Sequence, residues 1–206
     1  MPRFYPPPAV DREEAAAYAL ILALGALLSW LSAAHPSRLP VWAPWDFSWP
    51  EYLALTLVPF WYLRGLGTTA AEERPALWRR IAFFAGLALL YAVLQTRFEY
   101  AAQHMFFLNR AQHVAMHHLG PFLIALGAAG ATIERGMPAA LRRVIAHPAV
   151  RLPIAILQQP FIAAFIFVGS FYFWLVPGIH FRGMIDPQLY ALMNWTMVLD
   201  GVLFWA

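Results

Sequence analysis

The chain has 206 residues, of which 61% are hydrophobic and only 12% are charged, with a formal net charge of +3. Its apolar residues form long uncharged blocks, which is typical of an integral membrane protein rather than a soluble domain. The absence of cysteine excludes disulfides, thiolate metal sites, iron–sulfur clusters and thiol catalysis from this chain.

The blocks predict an all-α fold, a polytopic membrane helical bundle with about six spans. Residues 1–14 are rich in proline and charge and are predicted to be a disordered cytoplasmic lead. The transmembrane helical domain then occupies residues 15–206 and contains all of the predicted spans. These spans are 15–34, 52–66, 78–97, 111–133, 152–176 and 188–206. The chain ends inside the last apolar block without a polar anchor, from which we expect a truncated C-terminus.

The basic residues, all of them arginine, predict the orientation of these spans. They lie at the ends of apolar blocks, where they act as topology signals, so we expect a lipid bilayer and no nucleic acid as partner. Placing the N-terminus and the loops 64–80 and 134–151 in the cytoplasm puts ten of the 14 arginines there. Six of the seven histidines then fall on the outer side, and only His147 is cytoplasmic.

A histidine cluster follows the third predicted span and extends into the fourth. In a helix His113 and His117 are one turn apart, with Met116 beside them, and imidazole together with thioether suits copper. We therefore predict a metal site at His113 and His117, with His104 as a candidate third ligand. The alternative is that these rings bond to carbonyl groups or interfacial water. His118 lies about 100° further round the helix and is expected to support the ligands or to pack.

Four other residues are candidate accessory groups. Asp200 lies inside the last span, where a carboxylate is costly, so it is expected to relay protons, to orient a metal ligand or to pair with a buried arginine. Glu99 is a carboxylate that could orient His104, or it is simply a solvated interfacial charge. His180 and Met184 could capture a metal ion at the outer surface, or their four-residue spacing is incidental.

Two stretches carry a family resemblance: FEYAAQHMFFLNRAQHVAMHHLGPFLIALG at 98–127 and HFRGMIDPQLYALMNWTMVLDGVLFW at 180–205. They resemble the polytopic CtaG-type cytochrome c oxidase assembly factors. The resemblance implies maturation of a haem–copper oxidase in the bacterial inner membrane, with oxidase subunits as partners and copper handled on the outer side. His113 and His117 match the family motif best. His104 and Asp200 match it less closely, because this chain has an extra histidine at 118.

The leading hypothesis is a non-catalytic membrane assembly factor that binds copper and delivers it to an oxidase subunit. A metalloenzyme is an alternative, because HxxxHH resembles one histidine box of membrane di-iron hydroxylases and desaturases, although those enzymes carry several such boxes. A haem-handling protein is another, with His113 or His117 and His180 as axial ligands. A metal-free interaction protein, whose histidines contact a partner, is the fourth reading.

Overall fold

The computed structural model describes residues 12–206. Their regular secondary structure is entirely helical, and no β-strand is present among them. Residues 1–11 of the predicted lead lie outside the described residues, and Arg12–Glu14 form the first turn of α1. The helices in chain order are α1 Arg12–Ala34, α2 Trp49–Gly67, α3 Leu77–Leu94, α4 Arg97–His104, α5 Phe106–His113, α6 Gly120–Leu126, α7 Gly130–Gly136, α8 Ala139–Ala146, α9 Pro148–Leu157, α10 Pro160–Leu175, α11 Pro177–Ile185 and α12 Pro187–Trp205. A π-helical segment, Val114–Leu119, joins α5 to α6.

Membrane-spanning character is clearest in two of these helices. Within residues 12–206, α1 and α3 are each long and apolar enough to cross a bilayer, and the number rises to four if two bent helix pairs each count as one span. The prediction of six spans is therefore not confirmed by length and composition. The predicted spans 52–66 and 188–206 nevertheless correspond to the single helices α2 and α12, each of 19 residues.

Three predicted spans are interrupted, and each break has a local cause. The predicted span 78–97 stops at Leu94, and the Thr96 hydroxyl then caps α4 by accepting from the Phe98 amide at 3.2 Å. The predicted span 111–133 bends by 76° after α6, where Ala128 adopts a left-handed φ of 45°. The predicted span 152–176 bends by 72° between α9 and α10, because proline at 160 disfavours helical geometry in the residue before it.

Close helix packing depends on glycine at two contacts. Between α2 and α7, a Cβ atom at Gly65 would overlap the carbonyl of Thr132, and one at Gly136 would overlap the carbonyl of Trp61. Between α3 and α6, a Cβ atom at Gly86 would lie 2.7 Å from the carbonyl oxygen of Gly120. Small residues allow helix backbones in membrane proteins to approach in this way.

The two ends of the bundle gather different segments. At one end, the Arg135 guanidinium lies 3.7 Å from the Glu73 carboxylate, so the two arginine-rich loops meet there. At the opposite end, the loop between α1 and α2 packs over the end of α3, where the Trp45 amide donates to the Gln95 carbonyl at 2.9 Å. The Arg97 guanidinium stacks 4.4 Å from the Trp45 ring centroid and fixes the loop on α4. The two arginine-rich loops therefore share one end of the bundle, and the loop between α1 and α2 lies at the other.

Candidate functional site

The histidine cluster lies on the π-helical segment, where hydrogen bonds run from residue i to i+5. Pro121 explains the widened turn, because proline has no N–H to donate to the His117 carbonyl four residues earlier. That carbonyl instead faces α12 at Gly201, where a Cβ atom would come within 2.5 Å of its oxygen. Glycine at 201 thus lets α12 pack directly against the segment that carries the histidines.

His117 is fully buried and contacts the carboxylate of Asp200. Its Nε2 atom lies 3.0 Å from Asp200 Oδ1, while the Ser170 hydroxyl donates to Asp200 Oδ2. The imidazole also stacks on the Phe167 ring, with centroids 4.0 Å apart. The sequence suggested several roles for the buried carboxylate, and its contact is with the histidine. Such a carboxylate holds an imidazole in one orientation.

His113 is the most unusual polar group in the centre of the bundle. Its side chain is 1% exposed, and neither ring nitrogen has a hydrogen-bond partner among residues 12–206. Leaving buried polar atoms unpaired costs about 1–3 kcal/mol for each group, so native structures rarely keep them without a reason. His113 lies four residues before His117. The basic side chains near it are those of Arg110, His180 and His117.

The structure does not bring the predicted third ligand to this centre. His104 is exposed at the end of α4, where its Nδ1 atom lies 2.7 Å from the Tyr100 carbonyl oxygen and its ring packs on Tyr100. Within the described residues, no group of three or more His, Asp or Glu side chains has the geometry to hold a metal ion. The predicted set of His104, His113 and His117 is therefore not assembled, because α4 ends in an extended residue at Met105 that separates His104 from α5.

His118 and the outer-loop pair have their own contacts. His118 is half-buried, and its ring packs edge-on against His117 with centroids 4.7 Å apart. His180 Nε2 lies 3.4 Å from an Arg110 guanidinium nitrogen, and the Met184 sulfur accepts from the Asn109 amide at 3.7 Å. His180 and Met184 thus join α11 to α5 beside His113.

Glu99 lies on α4, outside the helices that qualify as spans, and it is half-buried rather than solvated. Its Oε1 atom is 3.4 Å from the Asn194 amide nitrogen of α12, and no contact with His104 is present among the described residues. Burial, together with the negative charges of Glu51 and Asp46 nearby, raises the pKa of Glu99 to about 9.

Sequence reasoning missed several buried amides that frame the centre. Gln112 is fully buried, donates to the Val93 carbonyl at 2.8 Å and accepts from the Tyr190 hydroxyl at 2.8 Å. Asn109 and Asn194 are buried at 0% and 1% exposure. The available signal was their position inside apolar segments, where polar side chains require partners.

A family model described as cytochrome c oxidase caa3 assembly factor (Caa3_CtaG) matches residues 60–206. The chain belongs to this family. Neither a curated protein nor a solved structure matches it significantly.

The matched range of this assembly-factor family includes the complete histidine centre, from α4 to Asp200 on α12. It begins within α2 and therefore leaves out α1 and the loop that covers the opposite end of α3. The donors available to a metal ion in the matched range are the unpartnered nitrogens of His113 and Nδ1 of His117, with the buried thioethers of Met116, Met193 and Met197 in the adjoining core. Imidazole and thioether donors suit copper, and reduced copper in particular accepts such soft ligands.

Proposed function

We propose that this assembly factor binds copper through His113 and His117 and passes it to a subunit of a cytochrome c oxidase. The observation that carries the proposal is the His113 ring, which is buried to 1% exposure with both nitrogens unpartnered in the described part of the chain. A bound cation would give one of these nitrogens the partner that the fold does not supply. The match to an oxidase assembly family supports copper as the cargo, because haem–copper oxidases contain that metal.

The surroundings of the two rings support a cationic cargo. Asp200, which lies 3.0 Å from His117, supplies negative charge that would offset the charge of a copper ion bound nearby. The thioethers of Met116 and Met193 lie in the apolar cluster on the same two helical segments as His117 and Asp200, and thioethers are suitable further ligands for copper. The chain has no cysteine thiolate, so its hold on copper would be weaker than that of a sequestering protein, as a donor requires.

We further propose that the chain crosses a bacterial inner membrane six times with a cytoplasmic N-terminus. In this arrangement α2 and α12 complete the four spans formed by α1, α3 and the two bent helix pairs. The meeting of the arginine-rich loops at one end of the bundle, through Arg135 and Glu73, supports a common cytoplasmic side for them. His113 and the segments before it, α4 and α5, would then lie on the outer side of the buried centre, from which copper could pass to an oxidase subunit.

Copper content of the purified full chain tests the proposal. The protein is loaded anaerobically with Cu(I) in detergent, competed with a chromophoric chelator and analysed for metal. We expect the wild-type chain to bind about one copper ion. The His113→Ala, His117→Ala double variant should lose it, because both imidazole ligands are removed. Loaded protein should also transfer copper to the isolated copper-binding domain of an oxidase subunit.

Matched controls separate loss of ligands from loss of structure. His104→Ala and His147→Ala remove exposed histidines outside the centre and should retain the copper. Size-exclusion profiles and thermal midpoints show whether the double variant is folded. Equal copper retention by the wild-type chain and a folded double variant would remove His113 and His117 from the site.

A further inference from the structure

A cavity of about 360 Å³ opens at the end of the bundle where the loop between α1 and α2 covers α3 and α4. Three carboxylates line it: Asp46 on the loop, Glu51 at the start of α2 and Glu99 on α4. Its remaining wall includes the aromatic side chains of Trp45, Tyr100 and Tyr190. Acidic and aromatic groups converge here, and neither His113 nor His117 is among the lining residues.

The carboxylates of this cavity have no cationic partner within residues 12–206. None of the three forms an ion pair, although Glu51 is only 5% exposed. Arg97, the arginine of α4, donates to the Leu39 carbonyl at 3.1 Å and stacks on Trp45. A buried carboxylate without a counter-charge is costly, since the protein interior does not replace its hydration.

Two buried amides, neither of which lines this cavity, contact the carboxylates of Glu51 and Glu99 from behind. The Gln95 amide nitrogen lies 3.2 Å from Glu51 Oε2, and the Asn194 amide nitrogen lies 3.4 Å from Glu99 Oε1. Both side chains are at most 1% exposed, and the carbonyl oxygen of each has no partner in the described residues. Asn194 lines a second, smaller cavity, and Glu51 lines both cavities. The acceptors that line the cavity are therefore the three carboxylates, and the amides behind them help to orient Glu51 and Glu99.

We propose that this cavity binds a guanidinium group on an alkyl stem, carried either by a free alkylguanidine or by an arginine side chain of a partner protein. A guanidinium has five N–H donors and a permanent positive charge, which match the carboxylates of Glu51 and Glu99 that line the cavity. Its flat face can stack on an aromatic ring, and the exposed ring of Tyr100 lines the same cavity. A bare metal ion fits less well, because the described carboxylates do not converge on one point.

Binding assays on the full chain in detergent test this site directly. The probes are agmatine, as a free alkylguanidine, and the blocked tripeptide acetyl-Gly-Arg-Gly-amide, with its citrulline analogue as the uncharged control. We expect the arginine probes to bind and the Glu51→Gln, Glu99→Gln double variant to weaken binding more than about tenfold. Glu72→Gln removes an exposed carboxylate at the other end of the bundle and should leave the affinity unchanged.

A second measurement keeps the proposal falsifiable if the double variant is unstable. Because the pKa of Glu99 is raised to about 9, the empty cavity holds a proton that a bound cation should expel at pH 7.5. Calorimetry of the wild-type chain in two buffers of different ionisation enthalpy measures that release. Preference for the peptide indicates a partner's arginine, and preference for agmatine indicates a free ligand. No binding of either probe, or equal binding of the citrulline peptide, overturns the proposal.

Discussion

The carboxylate of Glu99 makes the stability of this protein depend on pH. The folded state raises its pKa from 4.5 to about 9, through burial and through the negative charges of Glu51 and Asp46. Between these two values the folded chain keeps a proton that the unfolded chain releases, so the free energy of unfolding falls as the pH rises. We expect the thermal midpoint in detergent to fall from pH 5 to pH 9 and to fall less steeply in Glu99→Gln.

The comparison is made against Glu72→Gln, whose exposed carboxylate should leave the wild-type slope intact. At pH 5 the Glu99→Gln variant should be about as stable as the wild-type chain, since Glu99 is protonated in its folded form. At pH 8.5 the variant should be the more stable of the two. Parallel pH profiles for wild type and Glu99→Gln would mean that folding does not raise the pKa of this carboxyl, and would contradict the prediction.

At the level of single residues, the sequence indicated some of the buried polar side chains but not how they pair. Asp200 was recognised from its cost inside an apolar segment, and the structure pairs it with His117. That pairing depends on the π-helical turn and on Gly201, which set how α12 packs on the histidine segment. Neither feature has a periodic signature in the sequence. The exposure of His104 follows from the extended backbone at Met105, which no proline or glycine marks.

Helix packing between α2 and α7 is the element-scale feature most sensitive to substitution. Gly65 faces the Thr132 carbonyl so closely that an added methyl group would overlap it, whereas Gly67, two residues later on α2, has nothing within 4 Å of an added Cβ atom. We expect Gly65→Ala to destabilise the fold by about 1–3 kcal/mol through overpacking. Gly67→Ala should be neutral or stabilising, since alanine favours helix over glycine by up to about 1 kcal/mol.

The test compares the thermal midpoint and the monodisperse fraction of purified Gly65→Ala and Gly67→Ala with those of the wild-type chain. A loss in Gly65→Ala alone supports close approach of the helix backbones. If Gly67→Ala is equally destabilised, the effect belongs to the end of α2 in general and not to its contact with α7.

Helices were easier to predict from the sequence than the breaks between them. The predicted bounds of the first, second and last spans lie within three residues of α1, α2 and α12. The bend after α6 was missed because its left-handed residue is Ala128, and alanine is not a residue that normally signals a turn. The bend before α10 did have a signal, since two glutamines precede Pro160 inside an apolar block. A hydropathy window averages over such short interruptions.

The whole bundle has two chemically different ends, and their placement across a membrane is the prediction with the widest consequences. The arginine-rich loops meet at one end through Arg135 and Glu73, next to the exposed Glu72. The other end holds the loop that carries the exposed Trp42. Because the natural chain contains no cysteine, single cysteines can be introduced without further changes. We expect Trp42→Cys to react with a membrane-impermeant maleimide on intact bacterial cells, and Glu72→Cys to react only after the inner membrane is opened.

Phe161→Cys provides the control within the membrane. Phe161 is 91% exposed on α10, and a bundle that crosses the bilayer six times turns this exposed side chain toward lipid. The reagent should therefore fail to label it under either condition, while denaturation in detergent should restore labelling. Labelling of Trp42→Cys and Glu72→Cys from the same side would exclude the two-ended arrangement, and the reverse pattern would invert it. In the inverted case the acidic cavity would face the cytoplasm, and its guanidinium ligand would have to come from that side.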